Sequence, residues 1–356
     1  MKNTIPPLEG VRDPIDGALS LTSCTLCPRN CGVDRTLGQI GFCGQSSMVH
    51  AARAALHFWE EPCISGTNGS GAVFFSGCNM RCIFCQNRSI ADSTVGKPVT
   101  ADQLSEIFLM LQDEKHAHNI NLVTPSHFVP QIILALKLAK TQGLNIPIVY
   151  NTSSYEKVDT LKQLEGLVDI YLPDLKYMDP TLSSAYSSAP DYFTYASAAL
   201  REMIRQVGPP VFRPLTSCDA FTTFEKSAPD IRSHDTDPFA ASYDNTEDLS
   251  ETGIMQRGVI VRHLVLPGAE SDSRNIIKYL YETYGDSVFI SLMNQYTPLS
   301  FVANHPTLRN KVDPDIYEAL VDYCIELGVT NAFIQDGEVS DESFIPLFDY
   351  EGIPDC

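Results

Sequence analysis

Residues 72–85 read Ala-Val-Phe-Phe-Ser-Gly-Cys-Asn-Met-Arg-Cys-Ile-Phe-Cys. The apolar run Ala72 to Phe75 predicts a buried strand. Directly after it stand three thiols, Cys78, Cys82 and Cys85, at C-x3-C-x2-C spacing. Packing alone explains such a compact trio poorly, which disfavours a set of inert buried thiols or a zinc site completed by a histidine. A [4Fe–4S] cluster normally takes four thiolates, so three leave one iron open to an exogenous ligand.

Beyond this stretch the chain alternates short apolar runs with helical patterns. Further strands are expected at Ile120 to Val123, Ile146 to Tyr150, Val168 to Leu172, Val259 to Leu266, Ser287 to Leu292 and Asn331 to Ile334. Thr100 with Gln103, and Ser153 with Glu156, each have the spacing of a capping box, in which side chains satisfy orphan helix amides. Asp313 and Pro314 form an N-cap and N1 pair, and Gly328 follows the last apolar-periodic residue of that segment, Leu327. Strand and helix repeating in this order imply an α/β fold with a parallel sheet and right-handed crossovers, either open or closed as a barrel. Residues 1–70, rich in Cys, Gly and Pro, read as a Cys-rich N-terminal metal-binding module, and residues 71–356 as the core domain. Within the core, residues 216–252 hold nine acidic residues against Lys226 and Arg232 and read as a flexible acidic insertion.

Composition narrows the function classes. With Lys+Arg 25 against Asp+Glu 44, the 356 residues carry a formal charge of −19. That balance disfavours attachment to nucleic-acid backbones or anionic lipid, both of which need clustered cations. No segment approaches a membrane span, and Met1 to Gly10 shows neither a signal nor a transit peptide. Eleven cysteines without a readable export signal fit a reducing compartment, so a cytoplasmic location is expected.

The cysteine motif, with the aromatic Phe84 before its last thiol, resembles that of the radical SAM superfamily. Phe74 to Cys78, Cys85-Gln86-Asn87, Asp169 to Lys176 and Val261 to Gly268 are similar to pyruvate formate-lyase activating enzyme and its relatives. The resemblance covers roughly residues 20–335 apart from the acidic insertion. It implies a partial (β/α)6 TIM-like barrel and a [4Fe–4S] cluster on Cys78, Cys82 and Cys85. It further implies that S-adenosylmethionine chelates the open iron and is cleaved reductively to methionine and a 5′-deoxyadenosyl radical. The hydrogen donor would be a glycine of a glycyl-radical protein, another peptide or a small molecule. The reductant would be a flavodoxin or ferredoxin.

Carried over residue by residue, the resemblance puts Phe84, Thr124, Asn151, Asp174, Lys176, Arg262 and His263 at the cofactor. Lys176 would pair with the methionyl carboxylate, and Asp174 lies two residues before it on the same face of an extended chain. Asn151 stands where activating enzymes usually place an Asp. The usual Gly-Gly-Glu after the second barrel strand, which helps hold the methionyl amine, is absent, and Leu122-Val123-Thr124-Pro125-Ser126-His127 replaces it. Thr124 would offer its hydroxyl and carbonyl as acceptors instead.

A second constellation is Cys24-x2-Cys27-x3-Cys31-x11-Cys43. Its four thiolates match a closed zinc site or a four-ligand iron–sulfur cluster, and an empty or redox-paired set is the third reading. The segment from His57 to Pro62, with Trp59, Glu60 and Glu61, either contacts substrate or packs the N-terminal module. Cys63 and Cys324 are expected as packed side chains, His116 and His118 at a helix end, and Asn294 and Gln295 near the pocket. The competing functional class is an iron–sulfur electron-transfer or metal-dependent scaffold protein that does not cleave S-adenosylmethionine.

Overall fold

The computed structural model describes residues 20–214, 253–335 and 346–354. The acidic stretch 216–252 lies outside the described residues. The strands are β1 (Val49–His57), β2 (Ser70–Phe75), β3 (Lys97–Val99), β4 (Ile120–Val123), β5 (Ile148–Thr152), β6 (Ile170–Pro173), β7 (Val211–Arg213), β8 (Ile254–Leu264), β9 (Phe289–Met293) and β10 (Ala332–Ile334). They form one sheet in the order β10-β9-β8-β6-β5-β4-β2-β1-β3, with β7 paired to β8. From β2 to β10 every pairing along that path is parallel, whereas β1 and β3 add antiparallel at one edge. Sequential parallel strands joined by helices are the partial-barrel architecture expected, with β10 as a seventh parallel strand.

The helices are α1 (Pro62–Ser65), α2 (Arg88–Ala91), α3 (Ala101–Asp113), α4 (Val129–Thr141), α5 (Val158–Lys162), α6 (Pro180–Ser187), α7 (Tyr192–Val207), α8 (Glu270–Tyr284) and α9 (Pro314–Leu327). Thr100 and Gln103 close a reciprocal capping box at the start of α3, and Asp313 caps α9, which ends on left-handed Gly328. The capping box expected at Ser153 and Glu156 does not form. Helix α5 begins only after Lys157, and the Glu156 carboxylate turns inward to accept from the hydroxyls of Ser126, Thr152 (2.6 Å) and Tyr150 (3.3 Å). Three buried hydroxyls outcompete one helix amide.

Strand β1 starts well before residue 70, so the sheet begins inside the stretch read as the N-terminal module. Its sequence, Val-His-Ala-Ala-Arg-Ala-Ala-Leu-His, has little intrinsic strand preference. Pairing overrides that. Besides β2 and β3, the backbone of the tail segment around Tyr350 and Glu351 bonds to Ala52 and Ala54, and Arg53 pairs with Asp349 and Glu351.

Side chains alternate across the parallel strands. Leu122, Tyr150, Tyr171 and Val261 join the large core between sheet and helices. Val149, Ile170, Leu172 and Ile260 face the other way and pack against Cys63 and Ile64 of α1. This short helix closes the floor of the barrel interior. By the same alternation Asn121, Asn151, Arg262 and Ser291 point inward, toward that floor's upper side.

Candidate active site

The turn after β2 places the three motif thiols at the carboxyl end of a central strand. Parallel sheets gather their binding residues at that end. The turn is shaped by Gly77, at φ +90°, where a Cβ would stand 2.6 Å from the Cys43 carbonyl oxygen. Each of two thiols has a local donor: the Met80 amide to Cys78 Sγ (3.3 Å) and the Ser187 hydroxyl to Cys82 Sγ (2.9 Å). Burial pushes the Cys82 and Cys85 thiols above their ordinary range, neighbouring thiols add to the rise, and the Lys176 ammonium pulls both back. Three thiols within each other's field, beside a cation, form a donor set suited to a group that binds thiolates.

Four strand ends contribute a charged network next to these thiols. Lys176 Nζ donates to Asp174 Oδ2 (2.6 Å), and Arg262 Nε donates to Asp174 Oδ1 (3.0 Å). Asp174 follows β6 and bridges directly to Arg262 on β8, which is why the two meet. Arg262 also donates to Asn151 Oδ1 (2.6 Å) and to Glu60 Oε2 (3.0 Å). Glu60 Oε1 in turn accepts from the amides of Asn121 (2.9 Å) and Asn151 (3.2 Å). The Tyr192 hydroxyl braces the turn, accepting from the Lys176 amide (3.0 Å) with the Ser153 and Asp174 carbonyls each 2.8 Å away.

The electrostatics separate the acids. Burial works to raise Asp174, but the Lys176 and Arg262 cations overcome it and hold its carboxyl below the usual range. Glu60 and Glu61, just under it, are pushed up by burial despite Arg262. Glu61 Oε2 is buried without a hydrogen-bond partner. Asp174 is therefore a fixed anion bound to two cations, and the floor acids are the ones that lean toward the neutral form.

The segment 72–215 begins on β2, carries the three thiols, Asn151, Asp174 and Lys176, and matches the radical SAM superfamily profile. This part of the chain is a radical SAM domain. Among curated proteins, an uncharacterized protein of Methanocaldococcus jannaschii is 29% identical over 178 residues, 48% of this chain and 50% of that protein. The pyruvate formate-lyase-activating enzyme of Clostridium pasteurianum is 28% identical over 123 residues, 33% of this chain and 49% of that enzyme. The chain spans about half the length of each of these relatives. Among solved structures, Streptococcus suis SuiB bound to S-adenosylmethionine aligns over 74% of this chain and 49% of its own, at 11% identity and a TM-score of 0.43.

Within the radical SAM domain and its flanking strands, the nominated residues divide into two groups. Asn151, Asp174, Lys176 and Arg262 come together in the network above, and Glu60 joins them. The role of Glu60 was left open by the sequence; its signal was the acidic pair ahead of Pro62 at the start of α1. His263 does not join them. Its ring lies on the opposite face, with Nδ1 2.8 Å from the Leu175 carbonyl and Nε2 2.9 Å from the Ser273 hydroxyl of α8. The resemblance expects His263 at the cofactor, whereas its ring is turned toward α8 and away from the network, because one residue along a strand reverses the face. Phe84 is buried, edge-on to Tyr186 and Tyr296.

Thr124, in the position vacated by Gly-Gly-Glu, has φ +58° and donates its amide to the Asn151 carbonyl (3.0 Å). A β-branched residue in the left-handed region is strained, and such strain is characteristic of binding loops. Gln86 donates to the Gln295 carbonyl (2.8 Å), tying the motif loop to the turn after β9. His118 lies past the end of α3, just before β4. It is buried, and its Nε2 accepts from the Asn68 amide (3.1 Å).

Cys24, Cys27, Cys31 and Cys43 surround one small cavity, together with Arg35, Gly41 and His127. The cavity abuts the radical SAM motif. Arg29, two residues after Cys27, donates to the Asn79 carbonyl inside the motif loop (2.8 Å). Cys63 lies in the barrel floor and Cys324 in the core under α9. Among the described residues, then, the cysteines outside the motif trio are accounted for elsewhere.

Proposed function

We propose that this protein is a radical SAM enzyme that reductively cleaves S-adenosylmethionine and uses the product to abstract hydrogen from a substrate. The observation behind this reading is the placement of Lys176 and Asp174 within the field of the Cys78-Cys82-Cys85 trio at one end of the parallel sheet. Cys78, Cys82 and Cys85 would hold a [4Fe–4S] cluster, and Asn151, Asp174, Lys176 and the Thr124 loop would hold the methionyl end of the cofactor. When bound, cluster and cofactor together supply one-electron cleavage of the sulfonium.

The chain's own groups bind and orient. Lys176 presents an ammonium to a ligand carboxylate while Asp174 keeps it charged, since burial lowers its pKa and the carboxylate more than restores it. Arg262 fixes Asp174, and Glu60 and Asn151 fix Arg262. The apolar floor on Cys63, Ile64 and Ile260 excludes water from beneath the site.

The hydrogen donor in this reading is a glycine Cα of a partner protein, supported by the relationship to the Clostridium pasteurianum activating enzyme over a third of the chain. The four N-terminal thiols form a second metal centre. Anaerobic reconstitution followed by dithionite and S-adenosylmethionine tests the central step, with 5′-deoxyadenosine and methionine as expected products. A fully loaded protein that makes no 5′-deoxyadenosine would return the reading to an electron-transfer or scaffold protein.

A further inference from the structure

Arg81 stands between Cys78 and Cys82 and is exposed. Its guanidinium carbon lies 4.8 Å from the centre of the Phe42 ring, and that of Arg29 lies 3.9 Å from the same centre. Arg29 is fixed in place by the carbonyls of Asn79, Ser187 and Ser188. Among the described residues no carboxylate pairs with Arg81. Two cations on one aromatic ring therefore mark the outer side of the motif loop.

Phe42 follows a stretch in which residues 36–40 are all exposed. Within it Leu37 and Ile40 are 77% and 61% exposed. The stretch is held firmly: the Asp34 carboxylate caps it by accepting from the Thr36 and Leu37 amides, left-handed Gly38 ends its short turn, and the Phe42 amide donates to Cys31 Sγ (3.3 Å). A braced loop that displays apolar tips beside cations has the make-up of an interaction surface.

Its position bears on what docks there. One-electron cleavage of S-adenosylmethionine draws an electron from the cluster, and that electron has to come from outside the chain. Transfer falls off steeply with distance, so the donor must approach the motif loop closely. Asp174 and Lys176 occupy the side of the trio formed by the strand ends, whereas Arg81 reaches solvent from within the loop itself. Charge then selects the class of donor. The chain carries −19 overall, so an acidic protein is repelled by most of its surface and admitted where cations stand clear of carboxylates. A basic carrier would be drawn to the acidic remainder and away from Arg29 and Arg81.

We propose that Arg29, Leu37, Ile40, Phe42 and Arg81 form the docking surface for an acidic one-electron carrier protein. The carrier passes one electron to the cluster on Cys78, Cys82 and Cys85 and leaves oxidised by one electron. This surface serves the cleavage proposed above and rests on it.

The test reduces the reconstituted full chain in parallel with dithionite and with a photoreduced flavodoxin, an acidic carrier, and follows bleaching of the cluster's visible absorption and formation of 5′-deoxyadenosine. Leu37→Asp with Ile40→Asp should slow reduction by flavodoxin about tenfold and leave reduction by dithionite unchanged, because apolar contact is exchanged for like charge on an exposed loop. Arg81→Gln, at unchanged iron content, should slow it about threefold. Equal flavodoxin rates in substituted and unsubstituted proteins overturn the docking surface, as does an unsubstituted protein that dithionite reduces and flavodoxin does not. An equal loss with both reductants also overturns it, since the loop would then be shaping the cluster. Dithionite-reduced protein that forms no 5′-deoxyadenosine overturns instead the cleavage on which the surface rests.

Discussion

The two cysteine groups of this chain are built by opposite means. Cys78, Cys82 and Cys85 sit on a turn at the end of β2, where neighbouring strands supply Asn151, Asp174, Lys176 and Arg262. Cys24, Cys27, Cys31 and Cys43 sit in a segment held by turns and by Arg35, whose guanidinium binds the Ser46 and His127 carbonyls. In the second group an amide donates to Cys31 and a guanidinium to Cys24, and no carboxylate lines the cavity. Three sulfurs stand beside paired charges, whereas four line a small cavity of their own. The first centre is suited to chemistry on a zwitterionic molecule, the second to a resident metal.

The largest effect that would break this contrast is loss of function. Replacing any one of Cys78, Cys82 or Cys85 by Ala should abolish S-adenosylmethionine cleavage, whereas Cys24→Ala should change total metal and leave uncoupled cleavage measurable. Equal loss in both would erase the distinction. Next comes the buried network: Arg262→Met leaves Asp174 with one cation and Glu60 with none, and should cost about 3 to 5 kcal/mol of folding stability by urea denaturation at neutral pH. A loss below 1 kcal/mol would mean that the network is not a buried unit. Lys176→Ala should weaken S-adenosylmethionine binding by about 2 to 5 kcal/mol, read by calorimetry on the reconstituted protein. An unaltered dissociation constant would remove Lys176 from the site.

The outward face offers a sharper control. His263 is held neutral, its pKa pushed down to about 4 mainly by burial. The unfolded chain takes up this proton near pH 6.5, the folded chain only near pH 4, so the stability is complete above 6.5 and drains away as pH falls between the two. About 3 kcal/mol is at stake in that window. His263→Gln should flatten the pH dependence there and leave S-adenosylmethionine binding unchanged. An altered affinity at constant stability would place His263 back at the cofactor. The smallest effect is at Thr124: relieving its left-handed strain with Thr124→Gly should raise stability by about 1 kcal/mol in thermal melts. A destabilised variant would show that the loop is not strained.

Much of this was legible in the chain. The parallel strands β2, β4, β5 and β6 are buried on both faces, and the apolar runs within them mark them in the sequence. Antiparallel β1 was hidden because its alanines carry no strand preference, and only its partners make it a strand. At the site, Asp174 and Lys176 are two residues apart on one face and read as a pair. Arg262 and His263 also read as a pair, but the two-residue period of a strand divides them between inner and outer layers. Glu60 reaches Arg262 across 202 positions of chain, and no local pattern announces such a contact. Glu156 had the spacing of a cap, and only tertiary packing could reveal the three hydroxyls that claim it.

The central claim is that three thiolates leave an iron available to S-adenosylmethionine beside Lys176. Electron–nuclear double resonance on the reduced, reconstituted protein with 15N- and 17O-labelled cofactor tests it directly. Couplings from the methionyl nitrogen and carboxylate oxygen to the cluster are predicted, lost when Cys78 is replaced by Ala. Spectra without either coupling, on a protein whose cluster is loaded and whose cofactor is bound, would contradict it.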